Sequence, residues 1–479
     1  MNLHPSLLRG ASAAALLLPL AAGLFGCSGA SGTGSTNAVA ANTAPALVTV
    51  SDAPLSSILS AQITISSITV STGTSGTPVS VLSAPATVQL SSLGGVQEPL
   101  ELTSLPYGTY TSATVTVSRA QVTYLNSSNQ ATTATATISQ PTVTISLSPA
   151  LVVSSSGELH LHYAFDLAKS FDLTGSTLTF TPSIAALAAA VNSETGGDRD
   201  MDITGSVVSV SATAITVQNG DSGRQFTYAI NSSTTYPTGV TASSITAGSL
   251  VHIQAQSQSD GTLLALSITP VSSASLQAGG ANECGNFGII VAVTADSSGN
   301  VTSFSMVPRE HFGASSATAT VTVTLASTTT FALPQQAQSL GLSSASFNSS
   351  ELFVGQSVMV TGTSTSTGSV TAQQITLGDV GLGGTLSAVP SGTAPNLSFT
   401  LTLASTTNVG LASLTSLPVT TSSATEYNQG LTATTFAALA SGTSVEVDGF
   451  LLRNSGGSYT LYANQVGQIP TAQSEVGGF

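Results

Sequence analysis

From Pro45 onward apolar and polar residues alternate with a period of two. Leu47-Val48-Thr49-Val50 runs into the turn Ser51-Asp52-Ala53-Pro54, Gln62 to Val70 reads QITISSITV, and Ala113 to Val117 reads ATVTV. Period two puts successive side chains on opposite faces of a strand, so these stretches predict half-buried strands. Leu105-Pro106-Tyr107-Gly108-Thr109-Tyr110 reads as the turn into the third of them, because Pro fixes φ and Gly permits a tight reversal. In a later strand Leu159, Leu161, Tyr163, Phe165 and Leu167 share one face, and His160, His162, Ala164 and Asp166 share the other. Ile184, Leu187, Ala188 and Val191 fall at helical spacing and predict a short helix that closes this first region.

Past Asp202 one pattern occurs three times. Gly205-Ser206-Val207-Val208-Ser209-Val210 aligns with Gly288-Ile289-Ile290-Val291-Ala292-Val293 and with Gly384-Thr385-Leu386-Ser387-Ala388-Val389. An aromatic strand end follows at Tyr236, Phe331 and Tyr427, then a helical or turn segment around Ile245, Phe347 and Phe436. Next come a turn and strand at Gly248 to Ile253, Gly355 to Val360 and Gly442 to Val447. Each unit closes on an Ala three residues before a branched apolar residue: Ala265 and Ile268, Ala372 and Ile375, Ala463 and Val466. The order of features marks an internal repeat, and units of about 70 to 95 residues suit small closed barrels without exposed sheet edges. The fold class expected is all-β: a sandwich over 46–192, an acidic linker over 193–202, and barrels over 203–271, 286–378 and 379–470, with a linker at 272–285 and a tail at 471–479.

Three motifs in order, the SDAP turn at Ser51 to Pro54, the LPYGTY turn at Leu105 to Tyr110 and Phe165-Asp166-Leu167-Ala168-Lys169-Ser170, resemble domain-of-unknown-function family 4382 over about 46–192. That resemblance implies a prealbumin-like β-sandwich carried by bacterial lipoproteins, and no established activity. Residues 203–271 are similar to domain-of-unknown-function family 5666, a small-barrel module often found with the first. The second and third units match it more loosely, with longer insertions at 309–320 and 391–424.

The N-terminus agrees with that setting. One basic residue, Arg9, precedes an apolar run from Ala11 to Leu24, the length of a secretory core and too short to span a bilayer. Leu24-Phe25-Gly26-Cys27 resembles a bacterial lipoprotein signal. The resemblance implies cleavage after residue 26 and acylation of Cys27, with palmitate-type chains as the membrane contact; Ser28 in place of Asp implies sorting to the outer membrane. The small, polar residues of 27–45 read as a flexible tether.

Charge narrows the partners. Seven Lys plus Arg stand against 21 Asp plus Glu, a formal net charge of −14 with no basic cluster, which argues against nucleic acid because phosphate must be neutralised. Candidate chemistry is sparse. His160 and His162 project to one face with Asp166 and form a zinc site if a neighbouring strand supplies a further ligand; otherwise they are the water-facing side of a half-buried strand, the reading that the alternation favours. Glu194 to Asp202 (ETGGDRDMD) has carboxylates and glycines suited to calcium but no EF-hand spacing, and reads better as a solvated linker. His252 reads as a surface residue of a barrel strand and His311 as part of an inserted loop. Once Cys27 is acylated, Cys284 is the one thiol left; its polar neighbours favour an accessible thiol that pairs between molecules over a buried apolar residue. With ionisable groups so scarce, stability is expected to change little between neutral and mildly acid pH. No cofactor and no catalysis are expected. The functional expectation is an exported, lipid-anchored envelope protein with a structural, adhesive or binding role toward a protein or polysaccharide, the alternative being a carbohydrate-binding, metal-binding or enzyme-accessory module.

Overall fold

Alternation in the first region produces two sheets with a shared apolar interior. In the computed structural model the described residues are 42–469 without 54–57, 74–75, 91–96, 126–130, 156–158, 173–176, 191–199, 221, 238–239, 259–260, 272–285, 309–319, 344–346, 367, 404–413, 429–430 and 454–456. The strand Thr43–Ala53 lies between Leu159–Asp166, to which it runs parallel, and Glu98–Pro106, with Ile184–Ala190 on the far edge. The facing sheet is built on the long strands Ile58–Ser71 and Gly108–Leu125, joined by Thr142–Val153 and shorter strands. Val48, Val50, Leu161, Tyr163 and Phe165 from one sheet meet Ile63, Ile65, Val115 and Val117 from the other, and each such side chain contributes about 1.5–3 kcal/mol by leaving water.

Two motifs of this domain have visible structural roles. Tyr110 closes the LPYGTY turn by donating from its hydroxyl to the Pro106 carbonyl at 2.9 Å. Asp166 caps the short helix Leu167–Ser170, its Oδ1 accepting from the Lys169 backbone N–H at 3.1 Å. The helix expected over Ile184 to Val191 is instead the edge strand Ile184–Ala190. Ile184, Ala186 and Ala188 pack inward at period two, and pairing with Leu159–Asp166 supplies backbone hydrogen bonds that a lone helical turn would lack.

The three repeats form barrels with one topology. In the first, strands Asp200–Val210, Ala214–Asn219, Gln225–Ala229, Leu250–Ser257 and Leu263–Val271 close in the order 1-2-3-5-4. Strands 3 and 5 are parallel, and a short 3-10 helix, Ala242–Ser244, precedes strand 4. This is the Greek-key barrel of the OB type. The second barrel repeats the order with Asn286–Ala295, Val301–Pro308, Val321–Ala332, Ser357–Ser366 and Ser369–Leu377. In the third, Val380–Leu386, Asn396–Leu403, Ser416–Thr420, Ser444–Arg453 and Tyr459–Gln468 pair in the same ring. Asp200 to Asp202 therefore begin a barrel strand and are not linker.

The repeated residues explain themselves at the atomic level. A Cβ on Gly205, Gly288 or Gly384 would run into the carbonyl oxygen of Gln218, Val307 or Thr402 on strand 2, where strand 1 curves to serve two partners. Gly248, Gly355 and Gly442 turn into strand 4 with φ of 84°, 97° and 86°, and each donates its N–H at 2.8 Å to Val207, Ile290 or Leu386. A further repeat lies two residues before each aromatic: Thr234, Thr329 and Thr425 donate to the carbonyls of Ala265, Ala372 and Ala463, all at 2.7 Å. These hydroxyls fasten the chain after strand 3 to strand 5 beside a bulge in every barrel.

The described residues from Asn42 onward belong to one compact unit, and the barrels pack on the sandwich and on each other. Leu47 joins the core of the first barrel, and Leu59 packs with Ile289, Val291 and Val307 of the second. Arg224, in the first barrel's 2–3 turn, pairs with Glu101 of the sandwich and donates to the Ala84 carbonyl at 2.5 Å. Phe353 of the second barrel and Tyr459 of the third have ring centroids 4.8 Å apart, and Gln356 Nε2 donates to the Leu451 carbonyl at 3.1 Å.

Candidate functional site

The polar row of Leu159–Asp166 faces away from the sandwich core, as its alternation predicts, but it does not face water. All eight residues of the strand are buried. In the parallel register Leu47 stands opposite His160 and Thr49 opposite His162. Thr49 Oγ1 is the hub: its one proton goes to Gln97 Oε1 at 2.6 Å. The imidazoles must then donate to it, His160 through Nε2–H at 2.7 Å and His162 through Nδ1–H at 3.0 Å. His162 Nε2 is left to accept from Ser51 Oγ at 3.0 Å. Burial first, and the neighbouring His160 second, hold the His162 pKa down to about 3. Ser51 and His162 stand at the separation of a nucleophile and its base, yet an imidazole so hard to protonate is a weak base at neutral pH. The third position is a hydroxyl, Thr49, where hydrolytic triads place a carboxylate.

Asp166 does not join the two histidines. Its Oδ2 accepts from Lys169 Nζ at 2.6 Å while Oδ1 caps the helix. Among the described residues no three of His, Cys, Asp and Glu are placed to hold a metal ion. The zinc set of His160, His162 and Asp166 is therefore not assembled, because hydroxyls engage the imidazole nitrogens and a lysine engages the carboxylate. The water-facing alternative is also corrected: barrels cover this face. At one end Leu47 lies in the core of the first barrel; at the other the strand Thr43–Ala53, whose Asp52 is 1% exposed, contacts Val380–Leu386 of the third. Burial pushes the Glu446 carboxyl up to about 8, and the negative charges of Asp52 and Asp166 push in the same direction. Nothing in a single strand's alternation announces a neighbour so distant in sequence.

The barrels offer a different surface. On strands 2 and 3 of the first, Thr216 pairs with Thr227 and Gln218 with Gln225, and the two threonine hydroxyls are 2.9 Å apart. Ser303 and Ser305 face Thr324 and Thr322 in the second barrel. Ser398 faces Thr420 and Thr402 faces Ser416 in the third. Gln218, Gln225, Thr227, Thr322, Thr324, Ser398, Thr402 and Ser416 are exposed, and the others half-buried. The outward positions paired on each 2–3 face are uncharged.

His252 sits half-buried on strand 4 of the first barrel, its Nδ1 3.0 Å from Thr204 Oγ1. Cys27, Cys284, His311 and Glu194 to Arg199 lie outside the described residues, as do the signal, most of the tether and the linker 272–285.

Residues 43–182 match the family described as Domain of unknown function (DUF4382), and 204–269, 288–376 and 402–466 match Domain of unknown function (DUF5666). None of the curated proteins matches the chain. Among solved structures, the wild-type single-stranded DNA binding protein from Thermus aquaticus is 17% identical, with 41% of this chain and 97% of that one covered and a TM-score of 0.18. A deletion mutant of the same protein gives 15%, 42%, 100% and 0.18. The Drosophila Unr fragment CSD456 is 10% identical, with 56% and 98% covered and a TM-score of 0.14. Scores this low give the likenesses no weight. Family and fold agree in domain order, the third match beginning at the end of that barrel's second strand: the chain carries one DUF4382 sandwich followed by three DUF5666 barrels.

Proposed function

We propose that the protein is a lipid-anchored component of the cell envelope with a structural and adhesive role, its barrels contacting a neutral polysaccharide. The observation that carries this reading is the uncharged hydroxyl and amide lining of three equivalent 2–3 faces. OB-type barrels use that face for oligonucleotides or oligosaccharides. An overall charge of −14 disfavours the first, since nucleic acid demands cations, and hydroxyl and amide pairs suit the second. The titratable groups of the sandwich's four-stranded sheet serve domain packing, which supports a binding or scaffolding role over catalysis. Anchoring rests on Leu24 to Cys27, and the setting at the outer membrane on Ser28.

Protein lacking residues 1–27, screened by calorimetry against envelope polysaccharides, tests the binding reading. Binding insensitive to salt and weakened by Thr227→Glu is expected, because no ion pair is involved. Absence of glycan binding, or binding that collapses with added salt, contradicts it. Cys27→Ala should move the protein out of the membrane fraction; retention there contradicts the anchor.

A further inference from the structure

The sandwich meets the segment that leads to Cys27 at one of its ends. Thr43 stands opposite Pro106, and the Asn42 carbonyl accepts from the Tyr107 N–H at 2.8 Å. Gly108 and Thr109 follow, opposite Val153 and Val152. The hairpin between Val70 and Val79 lies beside them, since a Cβ on Gly108 would come 3.8 Å from the Thr72 methyl. On the outer face the strand Thr142–Val153 begins with the exposed hydroxyls Thr142 and Thr144 and ends with Val152, which is 61% exposed. Its partner Thr109 is two residues along from Tyr107, 40% exposed. No charged side chain is present in 42–46, 71–73, 76–80, 104–112 or 150–155, the described residues of this end. Leu59, on which the second barrel packs, lies at the opposite end of Ile58–Ser71, about 40 Å from Ser71 at the usual rise per residue. Residues 28–41 separate Asn42 from Cys27, a connection that spans at most about 50 Å.

We propose that this end is a membrane-docking surface: Tyr107 and Val152 rest in the headgroup layer of a zwitterionic phospholipid bilayer, held there by the acyl chains at Cys27. The inference rests on the lipid anchor proposed above. A tyrosine joins an apolar ring to a hydroxyl and so suits the boundary between headgroups and acyl chains. Val152 adds apolar area that leaves water on contact. Two such side chains bind a bilayer weakly by themselves, but a connection of this length gives an effective concentration of about a millimolar, at which weak contact suffices. The missing charge has two consequences. No ion is stripped of water as the corner seats. No Lys or Arg is there to attract anionic lipid, and the chain's net charge of −14 is repelled by it, which selects neutral headgroups. Docking also leaves the second barrel's seat on Leu59 at the end of the strand away from the bilayer.

The chain contains no Trp, so Tyr107→Trp places a single fluorescent reporter at the corner, and Cys284→Ser leaves Cys27 as the one thiol. The full mature chain with both changes is coupled through Cys27 to a maleimide lipid in phosphatidylcholine vesicles. Attachment is then imposed, so the result does not depend on natural acylation, which the Cys27→Ala fractionation tests separately. Brominated acyl chains should quench the reporter roughly two-fold. A reporter placed instead by Val389→Trp, on the third barrel and 55% exposed in the wild type, should keep its emission. Adding Val152→Glu, a change at an exposed position, should abolish the quenching at 107 while the protein stays on the vesicles. Equal quenching at 107 and 389, no quenching at 107, or quenching that survives Val152→Glu overturns the proposal. Emission at 107 that is shielded from water yet insensitive to bromine also overturns it, because a second copy of the chain and not lipid then covers the corner.

Discussion

The outer faces of the sandwich's two sheets are built from similar alternating strands and have opposite fates. On the six-stranded sheet the second barrel covers only the end at Leu59; along Gly108–Leu125 and Thr142–Val153 the outward residues are hydroxyls in rows, Thr114 beside Thr144 at 3.2 Å and Thr116 beside Thr142 at 3.3 Å, and they meet solvent. On the four-stranded sheet the outward row is Leu47, Thr49, Ser51, His160 and His162, all buried. The first face holds neutral groups that satisfy one another. The second holds most of the sandwich's histidine and carboxylate chemistry, and two barrels lie over it. Polarity on one side of a strand thus marks the side away from that domain's own core, and does not decide whether water or another domain occupies it.

Substitutions on the two faces should separate widely. The largest effect is expected for Leu47→Ala, which removes a side chain from the first barrel's core although it points away from the sandwich's own: a loss of about 2–4 kcal/mol in urea unfolding. Next is Thr49→Val, which leaves Gln97, His160 and His162 without their common hydroxyl and should cost about 2–3 kcal/mol. A loss below about 0.5 kcal/mol in either would show that the barrels do not seal this face. Smallest is Thr144→Ala on the exposed face, expected within about 0.5 kcal/mol of wild type; a larger loss there would erase the contrast.

The pH profile sharpens the same comparison, because the ionisable groups displaced most are in the covered seam. Glu446 keeps its proton in the folded protein up to about 8 but releases it near 4.5 when unfolded, so folding takes up a proton between those values and stability falls as pH rises. His162 is the reverse: unfolded it is protonated below about 6.5, folded it stays neutral down to about 3, so stability falls as pH drops through that window. Between about 4.5 and 6.5 the two slopes oppose each other, each at most about 1.4 kcal/mol per pH unit. Thermal unfolding should show a plateau there, with declines toward pH 8 and toward pH 3; a monotonic profile would remove one of the two groups from the seam. Scarcity of charge alone suggests insensitivity to mild acid. The structure attributes that flatness to opposed titrations and adds steep flanks.

Much of the architecture is legible in the chain. The three repeats can be read from Gly205, Gly288 and Gly384 because close strand crossing admits no side chain, and from Gly248, Gly355 and Gly442 because the turn needs positive φ. The hydroxyl fastening by Thr234, Thr329 and Thr425 is equally periodic in the sequence, but hydroxyls are too abundant in this chain for one to stand out. Ile184 to Ala190 misleads because alanine fits helix and strand alike, and its pairing with Leu159–Asp166 decides the outcome. The seam itself is not legible: Thr43–Ala53 and Val380–Leu386 are brought together by packing of separate domains, and no local period records it.

Titration of His162 in the full mature protein, followed by the nitrogen chemical shifts of its imidazole, tests the covered face most directly. The account predicts the Nδ1–H tautomer, neutral until about pH 3, with Nε2 accepting a hydrogen bond. Protonation near the ordinary value of 6.5 would mean that water reaches this face and would contradict it.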